Sequence, residues 1–269
     1  MREEVITSTA NRQVKYLVSL MKKPKLRKEN GVFVTEGLRI FREIPQELIR
    51  EVYVTDRFLL THGEEVKDLA YKVLSEDVFS RIADTKTPQG ILCVVKRVSS
   101  SIEEMFRENG IWLLLEDIQD PGNLGTIIRT AEGAGAAGIF LSSGCVDIFS
   151  PKVVRSTMGS IFRVPFVKDC DLKETVRFLK EKSVTVYAAG IRDALLYDEA
   201  EYREGAAILI GNEGNGLSEE MLQTADRQIM IPMQGRLESL NAAMAAGILL
   251  YEADRQKRAG GRNVSDLGA

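Results

Sequence analysis

Three stretches of this 269-residue sequence gather residue types that could do chemistry. In DPGNLGTIIRTAEGAGAAGIFL (120–141), Pro121, Gly122, Asn123 and Gly125 form a turn and helix start after an apolar run, with Asn123 the expected N-cap. Arg129 follows about a turn and a half into that helix, among small and apolar residues where an arginine needs a partner. That partner is either a carboxylate in a structural salt bridge or an anion to be bound or acted on. ILIGNEGNGLS (208–218) reads as a strand entering a loop with three glycines, through which backbone amides and carbonyls can approach a ligand. IPMQGRLESLNAAMAAGILLYEADRQ (231–256) gives a strand end, a loop and a long helix whose first half is rich in alanine and glycine, suited to close packing on a sheet or a partner subunit.

Other chemistries are excluded. The single histidine, His62, lies in the polar THGEEV and is read as a solvated surface residue, so neither a His-based metal site nor a protease of the HExxH type fits. Cys93, Cys145 and Cys170 are odd in number and widely spaced, which argues for reduced structural thiols and against a disulfide framework or zinc site. GAGAAG (133–138) matches the dinucleotide fingerprint GxGxxG, but here a helix ends in the glycines and feeds a strand. A pyrophosphate would then face the wrong end of the helix dipole, so a nicotinamide-dependent oxidoreductase is disfavoured.

The elements that must position these loops follow from apolar periodicity. A helix is expected at Asn11–Lys22 with Val14, Leu17, Val18 and Met21 inward, then a strand at 32–35, a helix from about Leu38, and strands at 52–55, 72–74 and 90–95. Downstream, strand-like runs recur at 111–116, 138–143, 184–189, 206–211 and 227–232 with helical patterns between them. Runs apolar on both faces imply an α/β fold with a parallel sheet covered by helices, whose ligands sit beyond the carboxyl ends of the strands. A capping serine with acids behind it near 98–101 divides the chain into an α/β unit at 1–98, a linker at 99–106 and a second domain at 107–269. No apolar run approaches the ~20 residues of a membrane span, and the first residues lack the pattern of a secretory leader, so the expected location is the cytoplasm.

Net charge of -3 conceals an asymmetry: residues 1–100 hold 18 Lys and Arg against 14 Asp and Glu, and the remainder 18 against 25. The excess is concentrated in Lys22, Lys23, Lys25, Arg27 and Lys28 around Pro24, where several phosphates could be neutralised together.

NLGxxxRTAEGAG, GNEGNGLS and IPMxGxxxSLNAAMAAGILLYE, in this order and joined by SPKVVRSTMGSIFRVP (150–165), closely resemble the SpoU, or TrmH-like, branch of the SPOUT RNA methyltransferases, over about 111–258. ITSTANRQVKYL and GVFVTEGLRIFRE resemble, more loosely, the substrate-binding domain that often precedes this core and is related to RNA-binding ribosomal proteins. The resemblance implies a ribose 2′-O-methyltransferase with a C-terminal trefoil knot, acting on ribosomal RNA in preference to transfer RNA, as a homodimer through the C-terminal domain. S-adenosylmethionine would contact Gly211, Ile231 and Leu240, with Leu209, Asn212 and Met233 shaping the pocket and no metal required. Arg129 would hold the central catalytic role, with Asn123, Glu213, Ser239 and Asn241 at the other active-site positions and Glu213 able to fix the guanidinium. Whether Arg129 acts as base or orients a phosphate stays open, since arginine is a poor base. A transfer-RNA enzyme and a non-catalytic RNA-binding protein are the alternative readings.

Overall fold

The structure, a computed structural model, describes residues 5–190 and 194–261. In chain order the elements begin with α1 (Arg12–Lys22), α2 (Pro24–Asn30), β1 (Val32–Glu36), α3 (Leu38–Phe41), β2 (Ile49–Thr55) and α4 (Asp56–His62). Then come β3 (Tyr71–Leu74), α5 (Glu76–Ile82), β4 (Ile91–Lys96), α6 (Ile102–Met105), β5 (Ile111–Leu115), α7 (Pro121–Gly133), β6 (Gly138–Ser142) and α8 (Pro151–Ser156). The remainder is β7 (Phe166–Cys170), α9 (Leu172–Glu181), β8 (Thr185–Ala189), β9 (Leu195–Leu196), β10 (Ala206–Ile210), α10 (Glu219–Thr224), β11 (Arg227–Met230) and α11 (Ala242–Gly261). Contacts divide the chain into one unit of Met1–Val98 with Asp147–Phe162, and another of Ser99–Val146 with Arg163–Ala269. No helix among the described residues is long and apolar enough to cross a membrane.

The first unit is a four-stranded sheet in the order β1-β4-β2-β3, antiparallel except for the parallel β2–β3 pair. Asn11 caps α1 by accepting the N–H of Gln13, and the helix lays Val14, Leu17 and Leu20 on Val34, Tyr53, Leu74 and Leu92. Leu20 takes the inward place expected for Val18 and Met21, which are half-buried. On β1, Phe33 meets the rings of Phe149 and Phe162 at 4.9 and 6.1 Å, and the Arg97 guanidinium lies 4.5 Å over Phe149. The segment Asp147–Phe162, placed by sequence in the second domain, thus packs with the first.

Its fastening is Arg27. The side chain sits in α2, a helix opened by Pro24, and is 3% exposed. Its Nε and Nη2 donate to Asp147 Oδ2 at 2.9 and 2.6 Å, and Nη1 donates to the carbonyls of Leu20 and Met21 at 2.5 and 2.9 Å. The side chain is buried and makes these four bonds internally, so Arg27 is removed from the expected RNA-binding cluster. Lys22, Lys23, Lys25 and Lys28 remain exposed.

The second unit is a seven-stranded, wholly parallel sheet in the order β7-β6-β5-β10-β8-β11-β9. Trp112, Leu114, Phe140, Val186 and Leu209 fill the layer beneath α9 and α10. α6 opens with the expected capping serine, Ser101, in a reciprocal box with Glu104. The chain moves outward from β5 to β6 and β7, crosses to β8, and returns to lay β10 between β5 and β8. That reversal between β5 and β10 is the topological switch point, where ligands of such sheets bind. The decoy GAGAAG terminates α7, with Gly135 left-handed at φ 66°, and enters β6 at Gly138. His62 is exposed at the end of α4, and burial pushes the thiols of Cys93 and Cys170 up to about 12 and 11 and also raises that of Cys145, leaving no reactive thiolate near neutral pH.

Candidate active site

The loops leaving β5, β10 and β11 carry the three sequence stretches. After β5, the chain turns with Asp117 left-handed at φ 54°, and Asp120 caps α7 by accepting the N–H of Asn123 at 2.8 Å. The expected cap, Asn123, is therefore corrected to the third helical position. The signal for this was Asp120 directly before Pro121, an acidic cap ahead of the residue favoured at the first helical position.

Relieved of capping, the Asn123 amide joins the three stretches. Its Nδ2 donates to Glu213 Oε1 at 2.9 Å, and its Oδ1 accepts from Asn241 Nδ2 at 2.9 Å. Asn241 Oδ1 in turn accepts the N–H groups of Ala243 and Met244 at 2.9 and 3.3 Å, capping α11. Glu213 also accepts the N–H groups of Gln119 and Asp120, each at 3.2 Å. Partial burial raises its pKa, but the bonds from Asn123 and the backbone outweigh that effect and hold the carboxyl below its ordinary range.

The glycine loop is built around Asn212. Its Oδ1 accepts from Gly214 and Asn215 N–H at 2.8 and 3.2 Å, its Nδ2 donates to the Asp117 carbonyl at 2.8 Å, and its backbone exchanges two bonds with Gly216. A Cβ at Gly211 would overlap the backbone of Gly216 and Leu217, so the loop closes only with glycine there. A contact missed from sequence braces the far end: Ser218 gives its N–H and hydroxyl to the two oxygens of Glu116 at 2.8 and 2.7 Å.

Asn123, Glu213 and Asn241 are brought together, whereas Arg129 and Ser239 are not tied to them. Arg129 is exposed on α7 and has no hydrogen bond or ion pair among the described residues, so the expected Glu213–Arg129 pair is replaced by the Glu213–Asn123 pair. Ser239 is exposed as well. Of the expected cofactor residues, Leu209 is fully buried and supports the loop from beneath. Gly211, Asn212, Ile231, Met233 and Leu240 are partly buried. These residues fit S-adenosylmethionine: backbone groups and apolar Ile231, Met233 and Leu240 suit an adenosine, and residues 209–217 hold one carboxylate and no cation, which suits a sulfonium. Gly211→Val is expected to weaken S-adenosylmethionine binding at least about tenfold, or about 1.4 kcal/mol, by calorimetry. Unchanged affinity in a folded variant would exclude Gly211 from this role.

Comparison with known proteins agrees with this geometry. Residues 110–251 match the SpoU rRNA methylase family, and residues 11–93 match the MRM3-like substrate binding domain. The chain is 36% identical to the 23S rRNA (guanosine(2553)-2′-O)-methyltransferase RlmP of Bacillus subtilis, over 91% of this chain and 97% of that one. It is 40% identical to a tRNA (guanosine(18)-2′-O)-methyltransferase of Thermus thermophilus, over 58% of this chain and 81% of that one. The crystal structure of an AdoMet-bound rRNA methyltransferase from Sinorhizobium meliloti superposes with a TM-score of 0.83 at 32% identity, covering 95% and 98% of the two chains. Fold, loops and relatives together define an S-adenosylmethionine-dependent RNA 2′-O-methyltransferase. The chain belongs to the SpoU rRNA methylase family.

Proposed function

We propose that this enzyme methylates a ribose 2′-hydroxyl in ribosomal RNA, in the cytoplasm, as a homodimer through its C-terminal domain. The observation that carries the site is the chain of hydrogen bonds Glu213–Asn123–Asn241, which sets the loops of β5, β10 and β11 in one register, with Arg129 exposed on the helix that carries Asn123. When bound, S-adenosylmethionine supplies an electrophilic methyl group. The products would be the 2′-O-methyl ribose and S-adenosylhomocysteine, with the hydroxyl proton released to water. Alignment of the reacting atoms is the protein's main contribution. Arg129 is exposed and charged, so its role is to hold the phosphate beside the target ribose, not to take the proton. Ser239 and the Asn241 amide complete the reacting face, and Gly211, Asn212, Ile231, Met233 and Leu240 hold the cofactor, with Leu209 beneath them. Threading of the C-terminal loops into a trefoil knot is consistent with β10 entering between two earlier strands.

Ribosomal RNA is preferred to transfer RNA because the relative matched along nearly the whole chain acts on 23S rRNA, whereas the tRNA enzyme matches only 58% of it. Lys22, Lys23, Lys25 and Lys28 of the first unit would neutralise RNA phosphates. RNA from cells with and without the gene, digested and compared by mass spectrometry, should differ by a 2′-O-methyl nucleoside in large-subunit rRNA. A loss confined to tRNA would assign the other substrate, and no loss in either would overturn the enzymatic reading.

A further inference from the structure

The first unit has a groove that no comparison assigns. It lies between residues 5–13 at the head of α1 and the start of β3, has a volume of about 660 Å³, and is lined by Thr7, Ser8, Arg12, Gln13, Tyr71 and Lys72 among others. Ile6 forms its floor by pairing with β3, its N–H donating to the Val73 carbonyl and its carbonyl accepting from Ser75. Lys72 is anchored to Glu51 at 2.7 Å, with its ammonium 5.2 Å over the Tyr53 ring. Among the described residues no carboxylate lines the groove.

What leaves the groove identifies its occupant. Arg12, Lys15 and Lys22 are exposed along α1 on the face opposite Val14, Leu17 and Leu20, and α1 holds no acidic residue. From Arg12 to Lys22 the helix rises about 15 Å, and the exposed Lys23, Lys25 and Lys28 follow in sequence at the start of and within α2. Arg12, Lys15 and Lys22 have no hydrogen bond or ion pair among the described residues. A small anion would need cations that converge on it. These diverge along a line, as successive phosphates of a polymer do, and the hydroxyl, amide and tyrosine groups at the head of the row suit ribose and exposed bases.

We infer that the substrate RNA runs its backbone along α1 and places an unpaired segment in the groove between residues 5–13 and β3, with Arg12 and Lys15 as phosphate contacts and Tyr71 as a stacking surface. This rests on the RNA methyltransferase reading and adds where the first unit holds its substrate. The test uses the full-length protein and an in-vitro transcript of large-subunit rRNA, with filter binding at several salt concentrations. The double variant Arg12→Ala/Lys15→Ala should lower the log-log salt slope by roughly 1.4 to 1.8, at about 0.7 to 0.9 per lost phosphate contact. It should raise KM for RNA with kcat and S-adenosylmethionine affinity unchanged. Ultraviolet cross-linking of the wild-type complex should map to peptides containing Tyr71 or residues 7–13. A transcript that binds the wild type while the double variant keeps its slope and no cross-link falls in these peptides would overturn the groove and leave the enzyme assignment standing. Wild-type protein that binds neither this transcript nor tRNA would overturn the functional reading, and this inference with it.

Discussion

Arg129→Ala should lose methyl transfer by roughly 100- to 1,000-fold, the scale of removing one preorganised charged donor from a transition state, while its affinity for S-adenosylmethionine stays within about twofold. The separation follows from placement. Arg129 projects from α7 into solvent with no partner among the described residues, whereas the cofactor residues lie at the end of β10 and on the loops after β10 and β11. A guanidinium that stabilises nothing in the fold can be removed without cost to stability. Its paired donors also match a phosphate in a way that an ammonium cannot, so Arg129→Lys should recover only part of the rate. Single-turnover transfer of radiolabelled methyl, beside calorimetry with the cofactor, checks both halves. Turnover retained in the alanine variant would remove Arg129 from the reaction.

The opposite behaviour is expected of Arg27. Arg27→Ala should destabilise the first unit by about 3–5 kcal/mol, the cost of leaving one member of a buried ion pair alone. Asp147, 19% exposed, would lose its partner, and the carbonyls of Leu20 and Met21 would lose theirs. Arg27→Lys should recover little, because one ammonium cannot reach the carboxylate and both carbonyls in the same geometry. Lys22→Ala, at an exposed position five residues away, should change stability by less than about 0.5 kcal/mol. Urea unfolding of the three variants measures the contrast, and equal midpoints for Arg27→Ala and Lys22→Ala would refute it.

These two arginines show what a sequence displays and what it withholds. Both stand in basic or small-residue surroundings that suggest an anion, but Arg27 finds its carboxylate 120 residues away, a distance at which local periodicity carries no information. The parallel sheet was legible because its central strands β5 and β10 are apolar on both faces. β7 and β9 were not anticipated. Both are edge strands, and β7 has only Phe166 buried while β9 is two residues long, so neither leaves a continuous apolar run. The motifs point to Asn123, Glu213 and Asn241 as site residues, but not to their mutual hydrogen bonds, because Asp120 and not Asn123 caps α7. The Glu116–Ser218 brace joins residues 102 apart and left no mark in either local pattern.

The Arg27–Asp147 clasp also sets a schedule for synthesis. The ribosome completes every strand of the first sheet well before it reaches Asp147, yet Phe33 stays without Phe149 and Phe162 until that later segment emerges. At about 5–20 residues per second, the 120 residues between the two partners take roughly 6 to 24 s to translate. For that interval the nascent chain carries an uncovered aromatic face and an arginine without its carboxylate, a window in which a chaperone that holds apolar surface has something to grip.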